Sequence, residues 1–469
     1  IPDKLHQLGI FIRRDVLSKI NNLQYLLISL LEAPIMALFL TVIIRYTPGN
    51  ATHYIFRQND NLPPYIFMSI IIALFIGLSV SAEEIFRDRK ILKRERFLNL
   101  SRSSYLLSKV VILFSLSAIQ MLIYVLIGNM VIGIKGLTVE YWLVLFSASC
   151  FANILGLNIS SSFNSAVTIY ILIPLLIIPM MALGGAMFNF DKINSIFGGG
   201  KGTTPLIADI MPSRWAYEAL SVTQFKSNPY EKDFYNIEQL ESYSNYKQVY
   251  YIPELRNIID ESVSLSKMNN DSSKILLSGN LDLLKNEFGS EAALFDDLPK
   301  MSMEGFSTEK FNGEVVNEAK DYLNKLEKKY ITVFNIISKK KDDLILSAQK
   351  NSSGKDDYLK MYDNNYNDFL ADIVKKTTEG NKIIRGKNRL VQNYEPIFSY
   401  PPDGHVFSLR AHFFAPVKYI FYMQVDTLIF DLIIIWIMSV ILYITLYYDI
   451  LKNAMEFGGK KQINIKSSI

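Results

Sequence analysis

The stretch Ser81–Lys109, "SAEEIFRDRKILKRERFLNLSRSSYLLSK", decides how this chain is organised. One long apolar segment ends just before its charges, and another begins at Tyr105, so the charged part lies in water between two membrane spans. Charges of both signs at three- and four-residue spacing predict a helix that forms ion pairs and docks on a partner. The alternative is a solvated loop that only fixes topology, which needs neither this length nor both signs. The predicted docking residues are Glu84, Arg87, Asp88, Arg89, Glu95 and Arg96.

Apolar segments on both sides of this stretch predict an all-α membrane protein with six spans. The chain has 469 residues, of which 50% are hydrophobic. Its mean hydropathy of +0.17 is high for a soluble protein and low for one wholly immersed in lipid. A spanning helix needs roughly 20 mostly apolar residues. Segments of this kind lie at about 23–44, 64–82, 106–132, 141–160, 166–188 and 425–448.

The spans divide the chain into five predicted parts. Between spans five and six lies a large insert whose apolar residues recur at helical spacing, so we expect a mainly helical domain in water. The parts are an amphipathic connecting helix (1–22), spans one to five with a cytoplasmic coupling helix (23–188 and, within it, 83–105), a re-entrant or exit segment (189–228), an extracytoplasmic domain (229–412), and span six with a cytoplasmic tail (413–469).

The distribution of basic residues predicts the orientation. Seven lysines and arginines lie between spans two and three, against two in the preceding loop and one in the next. Because basic residues concentrate on the cytoplasmic side, the coupling helix and both ends of the chain are expected in the cytoplasm, with the insert outside. We expect a bacterial inner (plasma) membrane. The first residue is Ile1 and no signal peptide is visible, so we expect the numbering to begin inside a longer polypeptide.

The first twenty residues form a predicted amphipathic helix. Apolar residues from Leu5 to Ile20 recur at three- and four-residue spacing, while Arg13 and Arg14 point elsewhere. A soluble surface helix shows the same pattern, but direct continuation into a span favours a helix lying on the membrane surface.

A glycine-rich run, "SIFGGGKGTT" at Ser195–Thr204, raises the question of a nucleotide site. A phosphate-binding loop requires Ser or Thr directly after its lysine, a strand before it and a helix after it. Here Gly202 follows Lys201, a long apolar segment precedes the run, and the run lies in the extracytoplasmic part. A flexible turn is the better interpretation.

Few residues are suited to catalysis or to metal binding. The chain has one cysteine, Cys150, which excludes an intrachain disulfide, and four histidines that are scattered. We therefore expect no metal site, and no catalytic site in this stretch. A basic block beginning at Lys328 is interrupted by Asp342 and Asp343, so a solvated helix face is favoured over nucleic-acid binding.

The order of these elements resembles the transmembrane half of a G-subfamily (White / pleiotropic-drug-resistance-like) ABC transporter of the ABC-2 exporter type. The resemblance covers about 3–225 and 413–448. Its motifs are "IRRD" at 12–15, Glu84 with "ERF" at 95–97, "SSYLLSK" at 103–109 and "IMPSRWAYEAL" at 210–220. The insert departs from the family, whose outer loop here is much shorter, so the resemblance implies nothing about its role.

The resemblance implies how such a chain would work. The connecting and coupling helices, including Arg13 and Arg14, would seat on an ATP-binding domain that carries ATP and magnesium and is fused ahead of them. Two copies would enclose a substrate path along spans two and five. The implied exit segment contains Pro212, Trp215 and Glu218. The candidate path residues are Glu32, Phe67, Ile71, Phe75, Tyr170, Pro174, Ile177 and Met181.

Each of the path assignments has an ordinary alternative. For Glu32, near the middle of span one, we expect either contact with substrate or protons, or hydrogen bonds within the helix bundle. The apolar stripes of spans two and five line a path, or they only pack or face lipid. Pro174 and Pro179 predict a kinked, movable span five.

These observations predict a homodimeric ABC exporter permease that moves an apolar or amphipathic, lipid-like substrate by ATP-driven alternating access. Membrane lipids, and an envelope protein at the outer domain, are further expected partners; nucleic acid is not. One rival is a machine that transmits force through the outer domain to envelope proteins. The other is a membrane-anchored enzyme, which is disfavoured because the insert lacks a nucleophile–base or metal constellation.

Overall fold

A computed structural model describes residues 3–47, 53–94, 100–188, 190, 193, 204–268, 270–295, 298, 302–351, 355–386, 388–401 and 411–455. It is mostly helical, with few strands, as predicted. The helices are α1 (Lys4–Asn21), α2 (Leu23–Ile44), α3 (Leu62–Ser81), α4 (Glu84–Arg94), α5 (Arg102–Ile132), α6 (Thr138–Ser162), α7 (Ala166–Ala182), α8 (Leu206–Asp209), α9 (Pro212–Lys226), α10 (Glu231–Tyr246), α11 (Ile252–Ser266), α12 (Asp271–Ala292), α13 (Gly313–Asn351), α14 (Lys355–Asn365), α15 (Asp368–Val374) and α16 (Thr427–Tyr447).

Five helical stretches in the described residues are long and apolar enough to cross a membrane: α2, α3 continued by α4, α5, α6 and α16. Predicted span five corresponds to α7, which is an apolar helix of only 17 residues, about 26 Å long. It ends at Ala182 and not near Phe188. The cause is Gly185, whose φ of +85° is left-handed, and at which a Cβ atom would lie 2.7 Å from the Phe413 ring. The chain therefore turns earlier than hydropathy alone suggests.

Helices α3 and α6 form the centre of the membrane bundle. They pack against each other along their length, and 72% and 83% of their most apolar windows are buried, against 33% for α2 and for α16. Two glycines permit this close approach. A Cβ atom on Gly77 would lie 2.6 Å from the Ser149 carbonyl oxygen, and one on Gly156 would lie 2.0 Å from the Ser81 hydroxyl.

The insert builds a core of its own from α10 to α13. Tyr251, Leu284, Phe288 and Leu326 are among its buried residues. The antiparallel hairpin of β1 (Ile383–Arg385) and β2 (Leu390–Gln392) packs against this core. A second antiparallel hairpin, β3 (Val417–Ile420) with β4 (Met423–Asp426), packs against the core of the membrane bundle and leads directly into α16.

The insert is tied to the loop between α2 and α3. The side-chain amide of Asn367 donates to the carbonyls of Phe56 (2.9 Å) and Asn59 (2.8 Å), and Arg57 pairs with Asp363 at 2.9 Å. The insert therefore lies at the same end of the bundle as that loop, and α4 lies at the other end. The predicted topology of six spans requires this arrangement.

Candidate functional site

Helix α4 is fixed to the end of α6. Its first turn has free backbone N–H groups, and those of Ile85 and Phe86 donate to the Ser160 hydroxyl at 3.0 and 2.9 Å. One turn later the guanidinium of Arg89 donates to the carbonyls of Ser160 (3.0 Å) and Ser161 (2.6 Å), which belong to the last turn of α6. A cation at a helix C-terminus is favourable, so α4 and α6 cap each other.

A buried lysine joins α4 to α1 and α5. The ammonium group of Lys109 on α5 lies 3.0 Å from Asp15 of α1, and 3.0 and 2.9 Å from Glu84 and Asp88 of α4, with its side chain 3% exposed. The hydroxyl of Tyr105 donates to Asp88 at 3.0 Å. One cation therefore binds carboxylates from two other helices, and the three elements are held as a unit.

Helix α1 contributes a row of residues, polar except for one phenylalanine, to this unit. Gln7, Phe11, Asp15 and Lys19 follow each other at four-residue spacing, which places them on one face. The side chain of Gln7 accepts from the backbone N–H of Ser101 at 2.8 Å, and Lys19 pairs with Glu84. Burial lowers the pKa of Lys19, but the carboxylate of Glu84 outweighs burial and raises that pKa above its usual value.

Toward the outside of this unit lie two of the predicted docking residues. Arg13 is exposed, and Arg87 is exposed while pairing with Glu83 at 2.8 Å. Arg14 stacks on Phe11 at 5.3 Å. Glu84, Asp88 and Arg89 are engaged inside the protein as described above, while Glu95 and Arg96 lie outside the described residues.

Three members of the unit were not among the predicted docking residues: Asp15, Lys19 and Lys109, although the quoted motifs at 12–15 and 103–109 end with Asp15 and Lys109. A signal existed for Lys109, because a lysine inside a long apolar helix is costly unless it has a partner. Asp15 and Lys19 carried no comparable signal, since charged residues on an amphipathic helix are usually solvated.

The predicted path residues on α3 and α7 differ in how far they are exposed. Phe75 is 41% exposed and Tyr170 52% exposed on the single chain, and Pro174 is also exposed. Met181 is half-buried. Buried against the same chain are Phe67, Ile71 and Ile177.

Glu32 lines a cavity of about 380 Å³ between α2, the end of α3 and the start of α7. Glu83, Arg87 and Tyr170 lie on the same lining. The cavity opens at the α4 end of the bundle, where the docking residues also lie. Charged side chains from α2, from α4 and from Glu83 just before α4 thus converge beside the exposed face of α7.

At the other end of the bundle, the three predicted exit residues, Pro212, Trp215 and Glu218, are buried in α9. Glu218 on α9 lies 2.7 Å from Lys418 of β3 and 3.2 Å from Arg214, and Lys418 lies 2.6 Å from Asp431 of α16. All four side chains are 0% exposed. Arg214 also stacks on Trp215 at 3.7 Å. Because a buried charge is tolerated only when it is paired, this network fixes α9 against α16.

The first residue of α9 is Pro212, where proline is favourable because its missing N–H is not needed for the helix.

Of the buried charge network, only Glu218 was predicted. Asp431 carried a signal, since it is an acidic residue inside an apolar span. Lys418 and Arg214 did not stand out, because nothing in the sequence brings residues about 200 positions apart together.

A further buried pair of carboxyl groups lies at the base of the insert. Burial, with the adjacent Glu238, raises the pKa of Glu231 to about 9. Burial also opposes ionisation of Glu238, but Lys375 and Lys341 outweigh it and hold the pKa of Glu238 below its usual value. Lys341 lies 3.1 Å and Lys375 3.5 Å from Glu238. Glu231 is therefore protonated at neutral pH beside an ionised neighbour.

Almost the whole glycine-rich run lies outside the described residues, which resume at Thr204. The hydroxyl of Thr204 donates to Asp209 at 3.2 Å.

The apolar helices and their charged ends define an integral membrane protein. Residues 6–225, slightly less than half of the chain, match the model of the family described as ABC-2 type transporter. The match runs from α1 to the end of α9. Membrane domains of this family typically partner with an ATP-binding component. A comparison with curated proteins finds no match for the chain.

Proposed function

We propose that the chain is the permease of a G-subfamily-like ABC exporter in a bacterial inner membrane, with the insert outside the cytoplasm. The observation that carries the proposal is the Lys109 unit. It joins α1, α4 and α5 through buried ion pairs and presents Arg13 and Arg87 outward. An ATP-binding domain seated on α1 and α4 would then move the membrane bundle directly, because the buried ion pairs of Lys109 join these helices to α5.

Two copies would enclose the substrate path. Exposed apolar residues on α2, α3 and α7, among them Ile35, Phe75 and Ile171, form a face that a second copy or lipid must cover. A two-fold pair forms a cleft at its axis without opening either bundle, and self-complementary contacts are the commonest in homo-oligomers. Pro174 and Pro179 weaken the helical hydrogen bonds where α7 bends during opening.

The substrate proposed is apolar or amphipathic and lipid-like. The exposed parts of α3 and α7 are apolar, and the cavity beside Glu32 adds a polar region at the α4 end. A molecule with a polar head and an apolar body matches this division. ATP and magnesium would bind on the ATP-binding component.

The test is ATP-dependent movement of a fluorescent short-chain phospholipid across proteoliposomes that contain the chain and its ATP-binding component. We expect translocation that requires ATP hydrolysis. A cysteine at Phe75, with Cys150→Ser as background, should cross-link two copies under mild oxidation. A cysteine at Ile437, exposed on α16, is the matched lipid-facing control. Cross-linking at Ile437 but not at Phe75 would refute the axis, and absence of translocation would refute the exporter.

One observation favours a second candidate, a machine that uses ATP to move the insert and act on envelope proteins. The insert is tied to the α2–α3 loop through Asn367 and Arg57, and α15 packs on α9. In that case ATP would change distances between spin labels on the two inserts while no lipid moves. Translocation with unchanged distances would count against it.

A further inference from the structure

The strongest unassigned feature is a cavity of about 950 Å³ at the α4 end of the bundle. It lies between α1, α4, the start of α5 and the ends of α6 and α16. Its inner wall is apolar and made of buried side chains that pack together, namely Phe11, Ile85, Tyr105, Leu106 and Leu446. Because apolar side chains are poorly solvated by water, this wall is most stable when an apolar molecule covers it or when the cavity closes.

The rim of the same cavity is cationic. Four basic residues line it, against the single carboxylate of Asp449 among the lining residues described. Arg102 pairs with Asp449 at 2.6 Å, which neutralises both. The hydrogen bonds that Arg89 makes to described residues go to carbonyl and amide oxygens of the α6 end. Counted over the described lining residues, Arg89, Lys93 and Lys452 leave the rim with an excess of three positive charges.

The position of the cavity relative to the membrane follows from α16. This helix ends at Tyr447, and Tyr447 and Tyr448 are 38% and 65% exposed with ring centroids 5.1 Å apart. Exposed tyrosines at the end of a span mark the membrane–water boundary. Asp449 and Lys452 follow directly, so the cationic rim lies at headgroup depth and the apolar faces of α16 begin beside it.

We propose that this cavity binds the phosphate headgroup of an anionic phospholipid, whose acyl chains continue along α16. The cationic rim complements the phosphate and the apolar wall complements the glycerol and upper acyl chain. Free phosphate would leave the apolar wall unused. Val440 and Ile441, exposed on α16 before the rim, continue the apolar surface along which acyl chains would lie. The site is separate from the proposed substrate path, and its test does not require transport.

The test compares two double variants of the purified full chain in nanodiscs. Lys93→Gln with Lys452→Gln removes two rim charges. Lys4→Gln with Lys90→Gln removes two charges from exposed residues of α1 and α4 that do not line the cavity. Neither pair of lysines belongs to the Lys109 unit, so both variants should fold. Binding of spin-labelled phosphatidylglycerol and phosphatidylcholine is measured by the immobilised fraction of the label.

We expect the unaltered chain to prefer phosphatidylglycerol over phosphatidylcholine. Each basic residue near an anionic surface contributes about a fivefold effect on binding, so the rim variant should lose affinity by at least about tenfold while the control changes less than about twofold. Replacing both rim lysines with arginine should retain binding. Glycerol 3-phosphate at millimolar concentration should not displace the lipid, because it lacks the acyl chains.

Three results would overturn the proposal. Equal loss in the rim and control variants would show a general surface charge effect. Displacement by glycerol 3-phosphate would identify a soluble phosphate as the ligand. Weaker binding of the ATP-binding component, with unchanged lipid immobilisation, would identify the cavity as a protein docking site.

Discussion

Replacing Lys109 with methionine is the sharpest test of how α1, α4 and α5 are held together. In the intact protein Lys109 and Lys19 face three carboxylates, those of Asp15, Glu84 and Asp88, so the cluster carries one net negative charge. The variant leaves two net negative charges in a buried site. Lys19 still pairs with Glu84, but the other two carboxylates lose their cation.

The expected cost follows from these contacts. Removing one partner of a buried ion pair destabilises by about 3–5 kcal/mol, because the remaining charge is left uncompensated. Tyr105 still donates to Asp88 at 3.0 Å, whereas one oxygen of Asp15 lacks a hydrogen bond already in the intact protein. We therefore place the cost at about 3–4 kcal/mol. It should appear as detachment of α1 and α4 and not as loss of the whole bundle.

The assay combines thermal unfolding of the purified protein with hydrogen exchange of α1 and α4. Lys90→Met, at an exposed position on α4, is the matched control and should cost less than about 0.5 kcal/mol. Adding Asp88→Asn to Lys109→Met should recover part of the loss, since it removes one uncompensated charge. Equal stability and exchange in Lys109→Met and Lys90→Met would refute the role of the cluster.

Two further predictions concern the insert. Glu231 has a pKa of about 9 in the folded protein, against about 4.3 when the chain is unfolded. Between these pH values the folded state holds more protons than the unfolded state. The free energy of unfolding therefore falls as the pH rises, by up to about 1.4 kcal/mol per pH unit. Glu231→Gln should remove that slope between pH 5 and 8 in chemical unfolding of the insert region; an unchanged slope contradicts the assignment. Asn367→Ala loses two donated hydrogen bonds and the cap it gives to the backbone N–H of Leu370 (2.8 Å), costing about 2–3 kcal/mol locally. Asn367→Asp keeps the cap of α15 but loses the amide that donates to the loop carbonyls. Hydrogen exchange should therefore rise in α15 only in the alanine variant, whereas near Phe56 it should rise in both variants.

Hydropathy and charge pattern were sufficient for much of the architecture. A run of apolar residues must be helical in lipid because each backbone N–H and C=O needs a partner there, so the spans of α2, α5 and α16 were found within a few residues. The charged stretch after α3 was likewise predicted, because no span tolerates so many charges. The 17-residue length of α7 was not predicted, because it depends on the contact between Gly185 and Phe413, which are far apart in the sequence.

Less of the candidate site than of the fold could be predicted from the sequence. Whether Arg89 faces a partner or caps α6 depends on where Ser160 lies, and helical spacing gives no information about that. The same holds for Lys418, which becomes buried only because α9 and α16 enclose β3. Charge patterns identify which residues are able to pair, while the partner is selected by tertiary packing.

Helix α13 gives the insert a mechanical property that follows from its length. Its 39 residues extend about 58 Å, close to twice the thickness of the hydrocarbon core. Near one end Ile345 packs against the core of the membrane bundle, whereas Tyr322 and Leu323 belong to the separate core of the insert. A rotation of about 10° at the membrane end would swing the far end through about 10 Å. A small rotation at the bundle would thus be amplified into a large displacement at the far end of the insert.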